Sequence, residues 1–538
     1  MKKNLIQYLM IIIGCFYIFS CSQDHSDINE ANEKVRVLNS KETGINFTNT
    51  LTSTPQQNII EYLYFYNGSG VAIGDLNNDG LDDIILGSNQ GLDQLYINKG
   101  NLQFEEQSFG IEEDKLNKWT TGITIGDLNN DGWNDIYLCR SNVFENEIGK
   151  SSNLVLINNK DGSYSDQTDA LGLNFTGYST QTCFLDYDKD GDLDIYLLNH
   201  AIHSVRSYGD IKNRKLVDPV SGDRLFENKI NEGGGFEDVT SAANIYSSPM
   251  GYGLAITAAD FDNDGWTDIY VGNDFHENDY LYLNNGDKTF TESSKEVFSY
   301  TSQFSMGVDV YDLNNDQNLD LFSTDMMPYQ DDVIMKSAGE DSDQIKRIKD
   351  DLGFNIQNAR NHFQLQNQDG SFSDVAYMTK TYATDWSWSV LLNDFDNNGK
   401  GDIFISNGIV NRPNDLDYIN YLNEFGKDYK PEDFEKLLGS MPSQPMSNLL
   451  FFQNESLDFS TVKNAEFGPK TFSTGAAYSD FDNDGILEII VNNINDEVLI
   501  YKAASNKYHY INFYNCYFNF LFLINITLYS SIFIYLLN

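Results

Sequence analysis

The stretch Gly74-Asp75-Leu76-Asn77-Asn78-Asp79-Gly80-Leu81-Asp82-Asp83 decides the fold, because it recurs. Further copies begin at Asp127, Asp186, Asp260, Asp312, Asp394 and Asp480, with starts 52 to 86 residues apart. A unit of about fifty residues, lengthened by insertions in some copies, is the size of a propeller blade. In every copy oxygen-bearing side chains stand at positions 1, 3, 5 and 9, and Gly fills position 6 in all but one.

Those residue types at that spacing point to a hard divalent cation. Calcium takes six to eight oxygens in flexible geometry. A tight loop can aim side chains 1, 3 and 5 inward, add the position-7 carbonyl, and bring the position-9 carboxylate back across. Gly at position 6 permits the positive φ of the turn. The expected ligands are Asp75, Asn77, Asp79 and Asp83 in the first copy, and Asp127, Asn129, Asp131 and Asp135 in the second. The third and fourth copies offer Asp186, Asp188, Asp190 and Asp194, then Asp260, Asp262, Asp264 and Asp268, four carboxylates each. The fifth offers Asp312, Asn314, Asp316 and Asp320, and the sixth Asp394, Asp396, Asn398 and Asp402. The seventh ends on a glutamate: Asp480, Asp482, Asp484 and Glu488.

An EF-hand would carry a bidentate Glu at position 12, but that position is Leu86, Leu138 or Leu197, so that loop type is excluded. Asp, Asn and Gly also make plain hairpin turns. Turn chemistry leaves the further acid at position 9 unexplained, because a carboxylate is disfavoured at the start of a strand. Up to seven Ca²⁺ sites are expected. Gln317 stands where Gly belongs, and a non-Gly residue at positive φ costs about 1 kcal/mol or more. The fifth copy is therefore expected to be the weakest or an empty site.

The flanks read as strands. Val71-Ala72-Ile73 and Ile123-Thr124-Ile125 precede loops, while Ile84-Ile85-Leu86 and Ile136-Tyr137-Leu138 follow them. A hairpin comes next, as in Leu95-Tyr96-Ile97-Asn98-Lys99-Gly100 running on to Phe104. Each unit thus gives four strands, A–loop–B–C–D, and the fold class is all-β, a seven-bladed β-propeller. Five residues before the first Asp, strand A carries Gly70, Gly122, Gly307 and Gly475, suited to innermost strands crowding an axis. The last copy stops after Val498-Leu499-Ile500-Tyr501, so its outer strand is expected from Gly44-Ile45-Asn46-Phe47-Thr48, hiding open sheet edges.

The D-x-[DN]-x-D-G-x-x-D loops between paired strands resemble FG-GAP and VCBS-type repeats, as in the integrin α-subunit propeller. Tyr64-Phe65-Tyr66-Asn67-Gly68 ahead of the first repeat, with the Asn-x-Gly hairpins, narrows the resemblance to bacterial members of the cartilage acidic protein family. It covers roughly residues 43–513 and implies a seven-bladed calcium-binding propeller followed by a small β domain, ASPIC/UnbV. His509-Tyr510-Ile511-Asn512-Phe513 resembles the first strand of that domain, but residues 514–538 carry no charged side chain and do not continue it. A truncated or frameshifted reading frame accounts for this jump more simply than a membrane helix, which Asn519, Asn525, Thr527, Ser530 and Ser531 would interrupt.

Lys plus Arg number 35 against 80 Asp plus Glu, a formal charge of −45. So acidic a chain lacks the basic clusters that phosphate backbones or anionic membranes require, so no nucleic acid is expected as a partner. Loop positions hold 24 of the 80 acids, so most of the acidity forms a repulsive outer coat. Lys2 and Lys3 precede an apolar run from Leu5 to Phe19, a signal-peptide pattern ending in the lipobox-like Ile18-Phe19-Ser20-Cys21. The expected organisation is a signal peptide over 1–20, lipidation at Cys21, a polar tether over 21–42, the propeller over 43–505 and the broken domain over 506–538. This implies an exported protein anchored by lipid, at the outer membrane or cell surface, touching the membrane through that anchor only. Cys139 and Cys183 sit in apolar runs and read as buried free thiols, with a disulfide between them as the alternative.

Three long insertions, residues about 199–223, 325–361 and 407–447, fall between strands B and C and so gather opposite the Asp-rich loops, with helical signals in the second and third. Candidate ligand-face residues are His200, His203, Arg206, Asp274, His276, Arg360, His362, Trp386, Trp388 and Arg412. The tryptophans alternate along a strand, so at least one is expected in the core; loop histidines are more often solvated than ligating. Loops gathered on a rigid scaffold suit recognition of a glycan or extracellular protein, an adhesion or binding role. The alternative is a calcium-dependent polysaccharide lyase or glycosidase, which needs a base or paired carboxylates beside a cationic clamp. Asp274, His276 and Arg360 are its candidates; no compact catalytic cluster is evident in the sequence.

Overall fold

The computed structural model describes residues 31, 34–142, 144, 152–202, 210–425 and 433–503. Cys21 with its leader, His203, Arg206, and the stretch from 504 onward lie outside them. Seven antiparallel four-stranded sheets surround a common axis. In blade one, Val71–Gly74, Asp83–Leu86, Gln94–Asn98 and Phe104–Gln107 run outward as strands A to D. Strand A of each blade packs on strand A of the next, and Ser473–Ser479 of blade seven meets Val71–Gly74 to complete the ring.

The crowding at the axis is literal. A β-carbon on Gly307 would lie 2.1 Å from the Trp388 carbonyl oxygen, and one on Gly475 would lie 2.6 Å from that of Ser69. Strand B reads as a continuous apolar run because both its faces are covered; all six residues of Asp135–Arg140 are buried. The core therefore lies between sheets, with Ile85 and Leu95 of blade one against Ile136, Leu138 and Leu156 of blade two.

Closure uses a different segment from the one expected. Val35–Leu38 pairs antiparallel with Leu499–Ala503 as the outer strand of blade seven, with Val37 opposite Tyr501. A strand of the propeller thus lies inside the stretch read as tether. After this strand Asn39 and Glu42 form a reciprocal capping box on the short helix Ser40–Thr43. Gly44, at φ 83°, then turns the chain away. The alternation of Ile45 and Phe47 is satisfied by packing rather than pairing: both are buried with Phe104, Phe481 and Ile490 where blades seven and one meet. Only an isolated bridge, Thr48 to Glu497, remains of the expected ladder.

The three insertions do fall between strands B and C. The second holds the helix Asp343–Asp351, capped by Ser342, and the third holds Leu416–Phe425 and Phe434–Leu438. Cys139 and Cys183 are free thiols, and burial pushes both up to about 12. Among the described residues no helix is long and apolar enough to cross a membrane.

Candidate metal centres

Blade four shows how the nine-residue loop is built. Asp260 accepts the Asp264 N–H on Oδ1 at 3.1 Å and the Gly265 N–H on Oδ2 at 2.9 Å. Asp262 Oδ1 shares the Asp264 N–H at 3.1 Å, and Asp264 Oδ1 accepts the Trp266 N–H at 2.8 Å. Asp268 is wholly buried and accepts the Phe261 N–H at 2.8 Å and the Asn284 N–H at 2.7 Å. Backbone donors thus pin each carboxylate while its remaining lone pairs stay available to a cation. The same bonds recur at Asp83, which takes the Leu76 and Asn98 N–H groups, and at Asp402, which takes those of Phe395 and Gln453.

Burial gives these groups their electrostatic character. It pushes the position-9 carboxyls of Asp83, Asp135, Asp268, Asp320 and Glu488 up to about 7, and that of Asp194 to about 8. A desolvated carboxylate at neutral pH wants a proton or a metal. In blades three, four, six and seven the carboxylates of positions 1, 3 and 9 come within 4.8 Å of one another: Asp186/Asp188/Asp194, Asp260/Asp262/Asp268, Asp394/Asp396/Asp402 and Asp480/Asp482/Glu488. In blades one, two and five position 3 is Asn77, Asn129 or Asn314, which supplies a carbonyl oxygen instead. All-oxygen donor sets of this kind suit Ca²⁺.

Two features of the loops went unread in the sequence. Position 4 also takes positive φ, as at Asn78 (56°), Asn263 (59°) and Asn483 (54°), where Asn tolerates the left-handed region. That turn sends the amide to the next blade: Asn78 Nδ2 donates to the Gly132 carbonyl at 2.9 Å, and Asn483 Nδ2 to that of Gly80 at 3.3 Å, chaining loops around the ring. The last residue of strand C is a second link. Asn158 Nδ2 donates to the Leu76 carbonyl of blade one at 2.9 Å, and Asn284 Nδ2 to Tyr187 of blade three at 2.8 Å. The signal was the Asn that recurs before the hairpin in blades one to four.

Gln317 adopts φ 74° and its N–H still reaches Asp312 Oδ2 at 2.8 Å, so blade five keeps the shared turn despite the side chain. Gln317→Gly is expected to stabilise the protein by up to about 1 kcal/mol, because the left-handed penalty disappears. Calorimetry against wild type measures it; a lower melting temperature would count against a strained turn.

The opposite face is arranged differently from the sequence reading. The turn Leu63–Tyr66 lies over the axis: Tyr62 Oη bonds His200 Nε2 at 2.9 Å, Tyr64 Oη donates to Asp274 at 3.0 Å, and Tyr66 Oη donates to Asn411 at 2.9 Å. These partners belong to connections of blades three, four and six, so one aromatic turn ties distant blades together. Beneath it runs an axial cavity of about 530 Å³, lined by the A strands with Tyr62 and Tyr64 at one end.

The eight described ligand-face candidates are all buried. Burial lowers His200 to about 4 and raises Asp274 to about 8. Arg360 and His362 both bind Asp374, at 2.5 and 2.8 Å. Arg412 pairs with Asp385 at 2.7 Å over the Trp386 ring, and Trp388 Nε1 donates to the Gly408 carbonyl at 2.8 Å. His276 packs edge-on against Phe354 and Tyr252. The exposed side chains of this face are others. Among the described residues, every large hydrophobic recorded as exposed lies in a B–C or D–A connection or in the segment leading into blade one, including Ile202, Val217, Met335 and Ile356.

The molecule is thus a mostly β, seven-bladed propeller with Asp-rich groups able to hold metal. The family described as FG-GAP-like repeat matches residues 46–138 and 260–323. The chain is distantly related to integrin alpha-8 of Gallus gallus, at 29% identity over 151 residues (25% of this chain, 14% of that protein). It is similarly related to cartilage acidic protein 1 of Xenopus tropicalis, at 25% over 219 residues, and of Mus musculus, at 26% over 207 (38% of this chain in each, 29% and 28% of those proteins). The chain therefore matches under a third of the length of these relatives. Among solved structures, an Agrocybe aegerita lectin that recognises non-reducing terminal N-acetylglucosamine aligns over 79% of this chain and 85% of its own, at 15% identity and a TM-score of 0.39.

Proposed function

We propose that this protein is an exported, lipid-anchored binding module whose Asp-rich loops hold Ca²⁺ and whose opposite face recognises a glycan or an extracellular protein. One observation carries the reading: exposed large apolar side chains gather on the face of the B–C and D–A connections, while the Asp-rich loops occupy the other. Exposed apolar surface concentrated on one side of a rigid scaffold marks an interaction site. The three residues a lyase or glycosidase would draw on argue against turnover. Asp274 is covered by Tyr64, Arg360 is engaged by Asp374, and His276 is packed among aromatic rings. The lipobox-like Ile18-Phe19-Ser20-Cys21 after an apolar run supports display outside the cell.

The test is a glycan array and a panel of extracellular proteins, run with calcium against wild type, Val217→Asp and Met335→Asp. Val217 is 66% and Met335 74% exposed, so neither change should disturb folding. At least tenfold weaker binding in one variant, at unchanged melting temperature, is expected. Reproducible polysaccharide cleavage that His276→Ala abolishes would replace this reading with the enzymatic one.

A further inference from the structure

Blade seven differs from its neighbours at the strand-C position facing position 9 of the loop. At the equivalent register the residue is apolar in five blades, Leu283 in blade four and Leu365 in blade five among them, and it is Glu227 in blade three. In blade seven it is Lys502, paired in register with Glu488. The Lys502 ammonium lies 2.7 Å from Glu488 Oε1, 2.8 Å from Asp484 Oδ2, and 2.9 and 3.1 Å from the two oxygens of Asp482. Its side chain is 17% exposed and Glu488 is fully buried. Positions 3, 5 and 9 of one loop thus converge on a single cation that the chain itself supplies.

Other lysines near these loops are placed differently. Lys288 is half-exposed and bridges Asp188 to Glu227, which is not a loop residue. Lys34 reaches Asp396 while lying over the Phe452 ring.

We infer that Lys502 is the resident cation of the blade-seven loop, so that the sheet closing the ring holds its carboxylates together without a metal ion. The contacts have the lengths of charge-assisted hydrogen bonds, and the lone pairs they use are those a metal would need. A dication held by the same oxygens would stand beside a like charge in a poorly solvated site. The location matters, because blade seven joins the two ends of the ring through Val35–Leu38 and Leu499–Ala503. Removal of divalent cations would then loosen the other blades while Lys502 still holds the carboxylates of this closure together. The inference rests on the reading of the other loops as calcium sites.

Wild type and Lys502→Leu, the residue type of blades four and five at this register, are compared in two ways. Bound calcium is counted by native mass spectrometry, and melting is followed in EDTA and in excess calcium. Lys502→Leu is expected to bind one more ion than wild type, to melt lower than wild type in EDTA, and to recover in calcium. Where wild type binds calcium at other loops, an unchanged count in Lys502→Leu overturns the inference. Calcium-grown wild-type crystals give an independent measure should the variant not fold. Anomalous density at other loops but not at Asp480, Asp482 and Glu488 supports the inference, and density there overturns it. If neither protein binds calcium at any loop, the general calcium reading fails by itself. The EDTA melts still decide for Lys502, and equal melting temperatures overturn its role.

Discussion

Stripping divalent cations at about pH 8 is expected to lower the melting temperature sharply, and acidifying the metal-free protein to about pH 5.5 is expected to recover part of the loss. The two effects have one cause. Burial holds the position-9 carboxyls up to about 7 or 8, against roughly 4 in an unfolded chain. A carboxyl whose folded value is raised binds its proton more tightly when folded. Its stabilising contribution is full below about pH 4 and is lost as pH rises through about 7. At pH 8 without metal, several buried carboxylates are charged and closely spaced, which opposes folding. Calcium bound at these loops would remove that opposition, and each occupied site would contribute about 3–4 kcal/mol when free calcium exceeds its Kd a few hundredfold. Melting curves with calcium and with EDTA at both pH values measure this. A melting temperature indifferent to chelator at pH 8 would remove the structural role of metal, and metal-free protein less stable at pH 5.5 than at pH 8 would contradict the burial argument.

The second large effect is expected from Asp268→Ala in blade four. The wild-type side chain satisfies the N–H groups of Phe261 and Asn284, and alanine leaves both without an acceptor at a buried position. Each such loss costs about 1–3 kcal/mol, so roughly 4 kcal/mol is expected before any metal is counted. Asn284 also donates to the Tyr187 and Thr267 carbonyls, so the damage should spread to the interface with blade three. Asp268→Asn separates the roles. It keeps one acceptor oxygen but turns its amide NH2 toward the other buried N–H, so in EDTA it should lose about half as much stability as Asp268→Ala while also binding one calcium fewer. Denaturant unfolding and ion counting check both variants; wild-type stability in Asp268→Ala would show that position 9 is dispensable to the loop.

The repeat by itself determined the architecture: seven loops in register with β-branched strands require seven sheets, and Gly at position 6 of six copies permits the positive-φ turn that all seven loops adopt. It also exposed the oxygen donors, because ligand spacing within nine residues is a local property. The helices of the insertions were partly legible for the same reason, through the helical signal in the second insertion that becomes Asp343–Asp351. What lay beyond local pattern was decided by packing. Two segments near the N-terminus both alternate like strands. Only the three-dimensional ring shows that Val35–Leu38 reaches the open edge while Ile45 and Phe47 fill the gap between blades seven and one. Loop residues such as His200, Asp274 and Arg412 look accessible in a sequence. They are buried because the aromatic turn at Leu63–Tyr66 and neighbouring connections close over them, a contact across more than a hundred residues. Lys502 is one basic residue among 35 until strand pairing sets it opposite Glu488. Ligand spacing is written along the chain, whereas burial and charge pairing depend on which distant segments the closed ring brings together.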